Sequence, residues 1–262
     1  MYLLFSAFML SDFLMLNIGK YFGKKIFPTN IKNIEIIQQN FMGLYHHIFS
    51  GSLLSYMIYT NFNDWPLNYD GSVLHTKKNQ VYNSVDKNLY TVIILFEISY
   101  YLISILNTLF LKINKRVDAK IQYVHHIVTL GLIYIGTIHP AGEFCTIYIL
   151  FTHNLCDIPI KIYYIVKKLN ETLFIFKNKL YKTIFNYSLG IFGIFLWAYL
   201  RLYMFGSLTF AIVYVYPEES DLITKSCLTI LYGFNLIWFY MCINCLINEI
   251  IKKEKKSILY DK

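Results

Sequence analysis

Long apolar runs separated by short charged links set the pattern of this chain. Seven runs stand out, at about 1–19, 37–60, 89–111, 121–138, 142–166, 183–213 and 226–250. Each is of the order of the ~20 residues that an α-helix needs to cross a bilayer. The pattern predicts an all-α integral membrane protein with seven transmembrane helices. The first run has no basic leader and no small-residue cleavage site. It begins at Met1 and carries Asp12, so it reads as an uncleaved crossing rather than a signal peptide. The fourth run ends at His139-Pro140-Ala141-Gly142, a tight turn into the fifth. There is no internal repeat, low-complexity linker or second domain.

Composition agrees. Of 262 residues, 56% are apolar and 18% aromatic, and the mean hydropathy is +0.44. A soluble domain is rarely that apolar. The net charge of +8 sits in clusters between the runs, which is what membrane topology produces and not a nucleic-acid patch. The links alternate. Lys20, Lys24, Lys25 and Lys32 follow the first run, and the next link, Asn61 to Asn88, is mixed. Lys112, Lys115, Arg116 and Lys120 precede a turn holding only Glu143. Lys167, Lys168, Lys177, Lys179 and Lys182 precede the acidic Pro217-Glu218-Glu219-Ser220-Asp221, and the tail carries Lys252, Lys253, Lys255 and Lys256. Positive charge inside then predicts a lumenal or external N-terminus and a cytosolic C-terminus. Asn170-Glu171-Thr172 falls on the cytosolic side and Asn186-Tyr187-Ser188 inside a run, so neither sequon is expected to carry a glycan.

Polar residues inside the runs carry the chemistry. A charge at mid-membrane costs about 2.5–3.5 kcal/mol on insertion scales, yet the fifth run holds His153, Asn154 and Asp157. At about 1.5 Å per residue, Asp157 lies roughly 13 Å and His153 roughly 20 Å from the cytosolic end. His125 and His126 of the fourth run lie roughly 6–8 Å in from the same side. His153 and Asp157 are four apart and share a helix face. Pro159 leaves a carbonyl near Leu155 without its helical donor and is expected to kink the helix, which a helix lining a polar cavity tolerates. His46 and His47 of the second run sit roughly 13–15 Å in. They read as lining the same cavity or as packing, with packing slightly preferred.

One buried histidine reads as packing as readily as chemistry; two clusters at nearby depth point to chemistry. Adjacent histidines on a helix point about 100° apart and chelate one metal poorly. No HxxxH or HxxHH box is present, so no metal centre is expected. Five cysteines are present: Cys145, Cys156, Cys227, Cys242 and Cys245. The CxxC at Cys242 and Cys245 lies in an apolar run and reads as helix packing. Cys145 and Cys227 fall near lumenal helix ends and form a candidate disulfide.

The stretch HHIVTLGLIYIGTIHPAGEFCTIYILFTHNLCDIPIKIYY resembles the TLC-domain family, and within it the ceramide synthases (longevity-assurance homologues). Their motif places HH at the start of one helix and HDxxDxxLExxK on the next. LYTVIILFEISYYLISIL, with Glu97 and Tyr101, is similar to the family's third helix. FLWAYLRLYMFG resembles the helix bearing a family arginine, here Arg201, and FNLIWFYMCINCL, with Asn235 and Trp238, the last helix. The resemblance covers roughly residues 37–250. Three positions depart from the pattern: Asn154 replaces the first aspartate, Lys161 the glutamate and Tyr164 the lysine. An amide cannot take or release a proton near neutral pH, but it can orient a histidine or an amine. Lys161 lies one turn from Asp157 and is placed to pair with it.

The resemblance implies a bundle or barrel of six helices, residues 37–250, around a central lipid tunnel. An N-terminal helix and cytosolic linker (1–36) and a Lys-rich cytosolic tail (251–262) flank it. It implies N-acylation of a sphingoid long-chain base by a fatty acyl-CoA in the endoplasmic reticulum membrane, giving a ceramide. Acyl-CoA is then a co-substrate, no cofactor is bound, and a homo- or heterodimer is compatible. His125 and His126 would be proton acceptor or acyl acceptor, in either order. Asp157 would orient an imidazole or hold the amine, with His153 in support. Asn154, Glu97, Tyr101, Arg201, Asn235 and Trp238 would bind substrate. The basic clusters at Lys112–Lys120 and in the tail would meet the CoA phosphates or serve only as topology signals. The segment Tyr214 to Lys225 corresponds to a family region that influences acyl-chain length. A seven-span receptor is a rival on span count, but Leu111-Lys112-Ile113 stands where a DRY-like triplet belongs and there is no NPxxY. A non-catalytic TLC lipid sensor, carrier or translocation accessory is the stronger rival, favoured by Asn154 and Lys161.

Overall fold

A computed structural model describes residues 1–62, 86–110, 119–138, 142–173, 179–215 and 221–260. These form α1 (Tyr2–Ile26), α2 (Ile31–Phe62), α3 (Lys87–Phe110), α4 (Ala119–Ile138), α5 (Gly142–Leu173), α6 (Lys179–Trp197), α7 (Phe205–Phe210) and α8 (Leu222–Tyr260). Two π-helical stretches, Ala198–Met204 and Ala211–Val215, join α6 and α7 into one rod. The described residues thus make seven helical rods, one for each apolar run.

Most rods outlast their apolar runs, because a helix stops at a cap or a breaker and not where hydropathy falls. α1 continues through Lys24 and Lys25 until Phe27, whose N–H closes on the Gly23 carbonyl at 2.8 Å just before Pro28. The side chains of Asn30, Asp86 and Asp221 accept the first free N–H groups of α2, α3 and α8, from Asn33, Asn88 and Thr224. α5 runs unbroken past Pro159 to Leu173.

Among the described residues, five helices are long and apolar enough to cross a membrane: α1, α3, α4, the α6–α7 rod and α8. α2 and α5 are not among them, although each has 32 residues. Each buries more polar side chains than any other described helix, and they pack against each other more extensively than any other pair. The polar groups of α2 and α5 meet one another and also reach Glu97 on α3 and Arg201 on the α6–α7 rod.

Contacts run from α2 to α3, α3 to α4, α4 to α8, α8 to the α6–α7 rod, the rod to α5, and α5 back to α2. α4 and α5 also touch directly. α1 lies outside this circuit against α2 and α3. It comes close because Gly19 and Gly23 face α2: a Cβ on either would stand 3.0 Å from the Cα of Gln38 or Ile34. This is the small-xxx-small device by which membrane helices bring backbones together.

The distribution of polarity is inverted relative to a soluble protein. Phe13, Tyr134, Phe195, Phe210 and Tyr240 point outward, while Asp12, His46, Glu97, Asn154, Arg201 and Asn235 are buried. An apolar exterior suits hydrocarbon, and buried polar groups must then satisfy one another. Cys145 and Cys227 are separate thiols, so the candidate disulfide is not formed. The His139-Pro140-Ala141 turn, the acidic link at 216–220 and most of the link at 61–88 lie outside the described residues. The side chains of the basic clusters at 112–120 and 252–256 lie outside them as well.

Candidate functional site

Glu97, at 0% exposure, is the centre of the first network. Its position on α3 faces α2 and α5. His46 lies 3.2 Å from Oε2, the Ser50 hydroxyl donates to Oε1, and the Asn154 amide donates to Oε1 at 2.6 Å. A carboxylate only accepts, so His46 donates from Nε2. His46 and Ser50 are four apart on α2 and present one face to Glu97. The Asn154 amide also donates to the Ser50 hydroxyl at 3.2 Å, and its carbonyl lies 2.6 Å from His47 Nδ1. Gly51 faces α5: a Cβ there would lie in ordinary contact, 3.8 Å from Asn154 Cβ.

Arg201 organises the second network, from the π-helical stretch 198–204. Such single-turn departures re-aim side chains and cluster at functional sites. Its Nη2 donates to Asp157 Oδ1 at 2.7 Å and to the His153 carbonyl at 3.3 Å. Its Nε meets Cys156 Sγ at 2.8 Å, and its Nη1 donates to Asn235 Oδ1 at 3.3 Å. The Trp197 ring lies beneath the guanidinium, 5.5 Å from its carbon. Asp157 retains 24% side-chain exposure, unlike Glu97, and its Oδ2 lies 3.5 Å from His47 Nε2.

A chain of rings joins the two networks. Tyr100 stacks on His46 at 3.9 Å and meets Tyr101 at 5.5 Å; Tyr101 meets His126 at 5.1 Å. His126 and His125 are 5.7 Å apart, and His125 and His153 stack at 5.8 Å. Trp238 closes on His125 at 4.9 Å and Phe205 on His153 at 5.1 Å. His153 donates from Nδ1 to the Ile149 carbonyl at 2.7 Å, which leaves Nε2 as the lone-pair nitrogen. That Nε2 and His125 Nδ1 are buried without a hydrogen-bond partner among the described residues. The rings meet face to face or edge to face, and among the described residues no group of three or more His, Cys, Asp or Glu is placed to hold a metal ion.

A family model for the TLC domain matches residues 36–244. The chain belongs to the TLC-domain family. That family includes ceramide synthases and other lipid-related members. Among curated proteins, no individual sequence matches this chain.

His125, His126, His153, Asn154, Glu97, Tyr101, Arg201 and Asn235 are buried, Asp157 is partly exposed and Tyr164 is exposed, and the pairings are not those expected. His125 and His126 touch Trp238 and Tyr101, not Asp157. The imidazole within ion-pair distance of Asp157 is His47, which sequence reasoning inclined to treat as packing. Helix rotation decides this: His47 and Asn154 occupy facing positions of the closely packed α2 and α5. Glu97 and Arg201 hold other side chains of the site, and Asn235 anchors Arg201. The stem of Lys161 lies at α2, where a Cβ on Gly43 would meet its Cε at 3.1 Å. Sequence reasoning missed Ser50, the partner of His46 and the seat of Asp12, whose Oδ2 accepts from Ser99 at 2.5 Å. The i, i+4 spacing of His46 and Ser50 between Gly43 and Gly51 was the available signal.

Proposed function

We propose that this TLC protein is a ceramide synthase-like N-acyltransferase that moves a fatty acyl group from acyl-CoA to the amine of a sphingoid long-chain base. The observation that carries the proposal is the pair of unpartnered imidazole nitrogens, His125 Nδ1 and His153 Nε2, in the buried centre beside a partly exposed Asp157. A thioester is already activated. The protein must place two lipids, receive a proton from the attacking amine and stabilise the oxyanion. The N–C bond forms, the C–S bond breaks, and CoA leaves as the thiol with the proton the amine gave up. His125 and His126 are assigned to nucleophilic or proton transfer, and Asp157 to holding the amine. Arg201 fixes Asp157, and Asn235 and Trp238 fix Arg201 and His125. Asn154 works as an orienting amide, which its bonds to Glu97 and His47 suit. In this reading the chain makes seven crossings of the endoplasmic reticulum membrane, N-terminus lumenal and C-terminus cytosolic, with a lipid tunnel through the six-helix circuit.

The test is an assay of the purified protein in bilayers with labelled sphinganine and a panel of acyl-CoAs. Ceramide formation that is lost in His125→Ala and in Asp157→Ala, at unchanged expression, supports the enzyme. A second reading, a lipid sensor, carrier or translocation accessory, is favoured by the amide at Asn154 where the family motif has a carboxylate. Full cellular function in both variants, with no ceramide formed by the wild type, decides for that reading.

A further inference from the structure

The orientation of one amide fixes the protonation pattern beside Asp157. Asn154 turns its NH2 group to the Glu97 carboxylate at 2.6 Å and to Ser50 at 3.2 Å. Reversing it would set the amide oxygen against a carboxylate oxygen. Its carbonyl must therefore face His47, and at 2.6 Å it accepts a hydrogen from Nδ1. A neutral imidazole that donates from Nδ1 carries its lone pair on Nε2. His47 Nε2 is buried with no hydrogen-bond partner among the described residues, and Asp157 Oδ2 lies 3.5 Å away. Two acceptors thus face each other with no proton between them. The other Asp157 oxygen accepts from Arg201 at 2.7 Å; Oδ2 is the oxygen that faces His47, and Asp157 keeps an exposed fraction through which a donor can arrive.

We propose that His47 is the proton acceptor behind Asp157: a long-chain primary ammonium seats on Asp157 Oδ2 and its proton passes through that oxygen to His47 Nε2. The ammonium N–H bond breaks and the Nε2–H bond forms. The amine is left neutral with its lone pair free, and an imidazolium faces the Asp157 carboxylate as an ion pair. Glu97 and Asn154 act as positioning residues that hold the lone pair toward Asp157. The choice of ammonium rests on the acyltransferase reading; the tautomer and the acceptor pair do not.

The experiment is solid-state 15N NMR of the whole histidine-labelled protein in lipid bilayers, with the His47 signals identified by their loss in His47→Gln. The resting protein is expected to show His47 protonated at Nδ1 and bare at Nε2. Sphinganine should convert that ring to imidazolium, and the trimethylammonium analogue of the same chain, which has no N–H to give, should leave it unchanged. The opposite resting tautomer overturns the proposal without any variant. So does a resting ring that sphinganine leaves neutral, or an amine-induced imidazolium that persists in His47→Gln. In the same preparation, His47→Gln should lower kcat for acyl transfer about 100-fold with KM for the amine within about two-fold. Imidazolium formation without any acyl transfer removes the acyltransferase reading and leaves His47 as acceptor. Acyl transfer without imidazolium formation removes His47 and leaves the acyltransferase. Should His47→Gln fail to fold, Asn154→Leu serves: it keeps the ring and should yield a mixture of tautomers, whereas a single Nδ1–H tautomer there sinks the proposal.

Discussion

The histidine pairs His46–His47 on α2 and His125–His126 on α4 look alike in sequence and are held in opposite ways. The α2 pair is tied by hydrogen bonds, His46 to Glu97 and His47 to Asn154. Each bond fixes a tautomer, and each ring keeps one bare nitrogen. The α4 pair is held by ring contacts with Trp238, Tyr101 and His153. Such contacts set where a ring lies but leave its nitrogens uncommitted. A hydrogen-bonded imidazole is a defined proton site; a ring-packed one is available to a ligand. On the proposed acyltransferase reading, the two pairs would suit different steps, proton storage on α2 and contact with substrate on α4.

That contrast breaks most easily at His125. His125→Ala should cost acyl transfer about 10²–10⁴-fold and also lower the unfolding midpoint, because it leaves a cavity among Trp238, His126 and His153. A ceramide assay beside a thermal melt reads both, and a large melt shift with full activity would reverse the roles of the pairs. Glu97→Leu attacks the other pair. It strands His46, Ser50 and Asn154 together, and removing one member of a buried charged network costs about 3–5 kcal/mol. Denaturation of the bilayer-extracted protein should show it; a loss below about 1 kcal/mol would mean that the α2 pair is packed and not tied.

Two smaller effects sharpen the picture. Gly19→Val pushes α1 off the back of α2, where a Cβ already meets Gln38 at 3.0 Å. It should cost about 1–3 kcal/mol, with His46 more disturbed than His125 in histidine NMR spectra. Asn154→Asp restores the carboxylate of the family motif but sets it 2.6 Å from Glu97 Oε1. It should destabilise alone and be relieved by Glu97→Gln, with a coupling of about 0.5–3 kcal/mol in a double-mutant cycle. Additive effects would show that the amide and carboxylate do not act as a unit.

Much of the site was legible in the sequence because intramembrane polar residues are costly enough to be conspicuous. His153, Asp157, Arg201 and Glu97 each stand out against an apolar run. What escaped was the identity of partners. His46 and His47 read as cavity lining or packing, with packing slightly preferred, because nothing within α2 shows what faces them; Glu97 is 51 positions from His46, and Asn154 is 107 from His47.

The sequence by itself determined the helical rods, the apolar exterior and the TLC motif, because these follow from local propensity and from the cost of polar groups in lipid. Only the tertiary structure decided that Asp157 faces His47 on one side and Arg201 on the other. Adjacent side chains on a helix diverge by about 100°. Small rotations of α2 against α5, and the π-helical stretch that aims Arg201, therefore choose which groups meet the carboxylate.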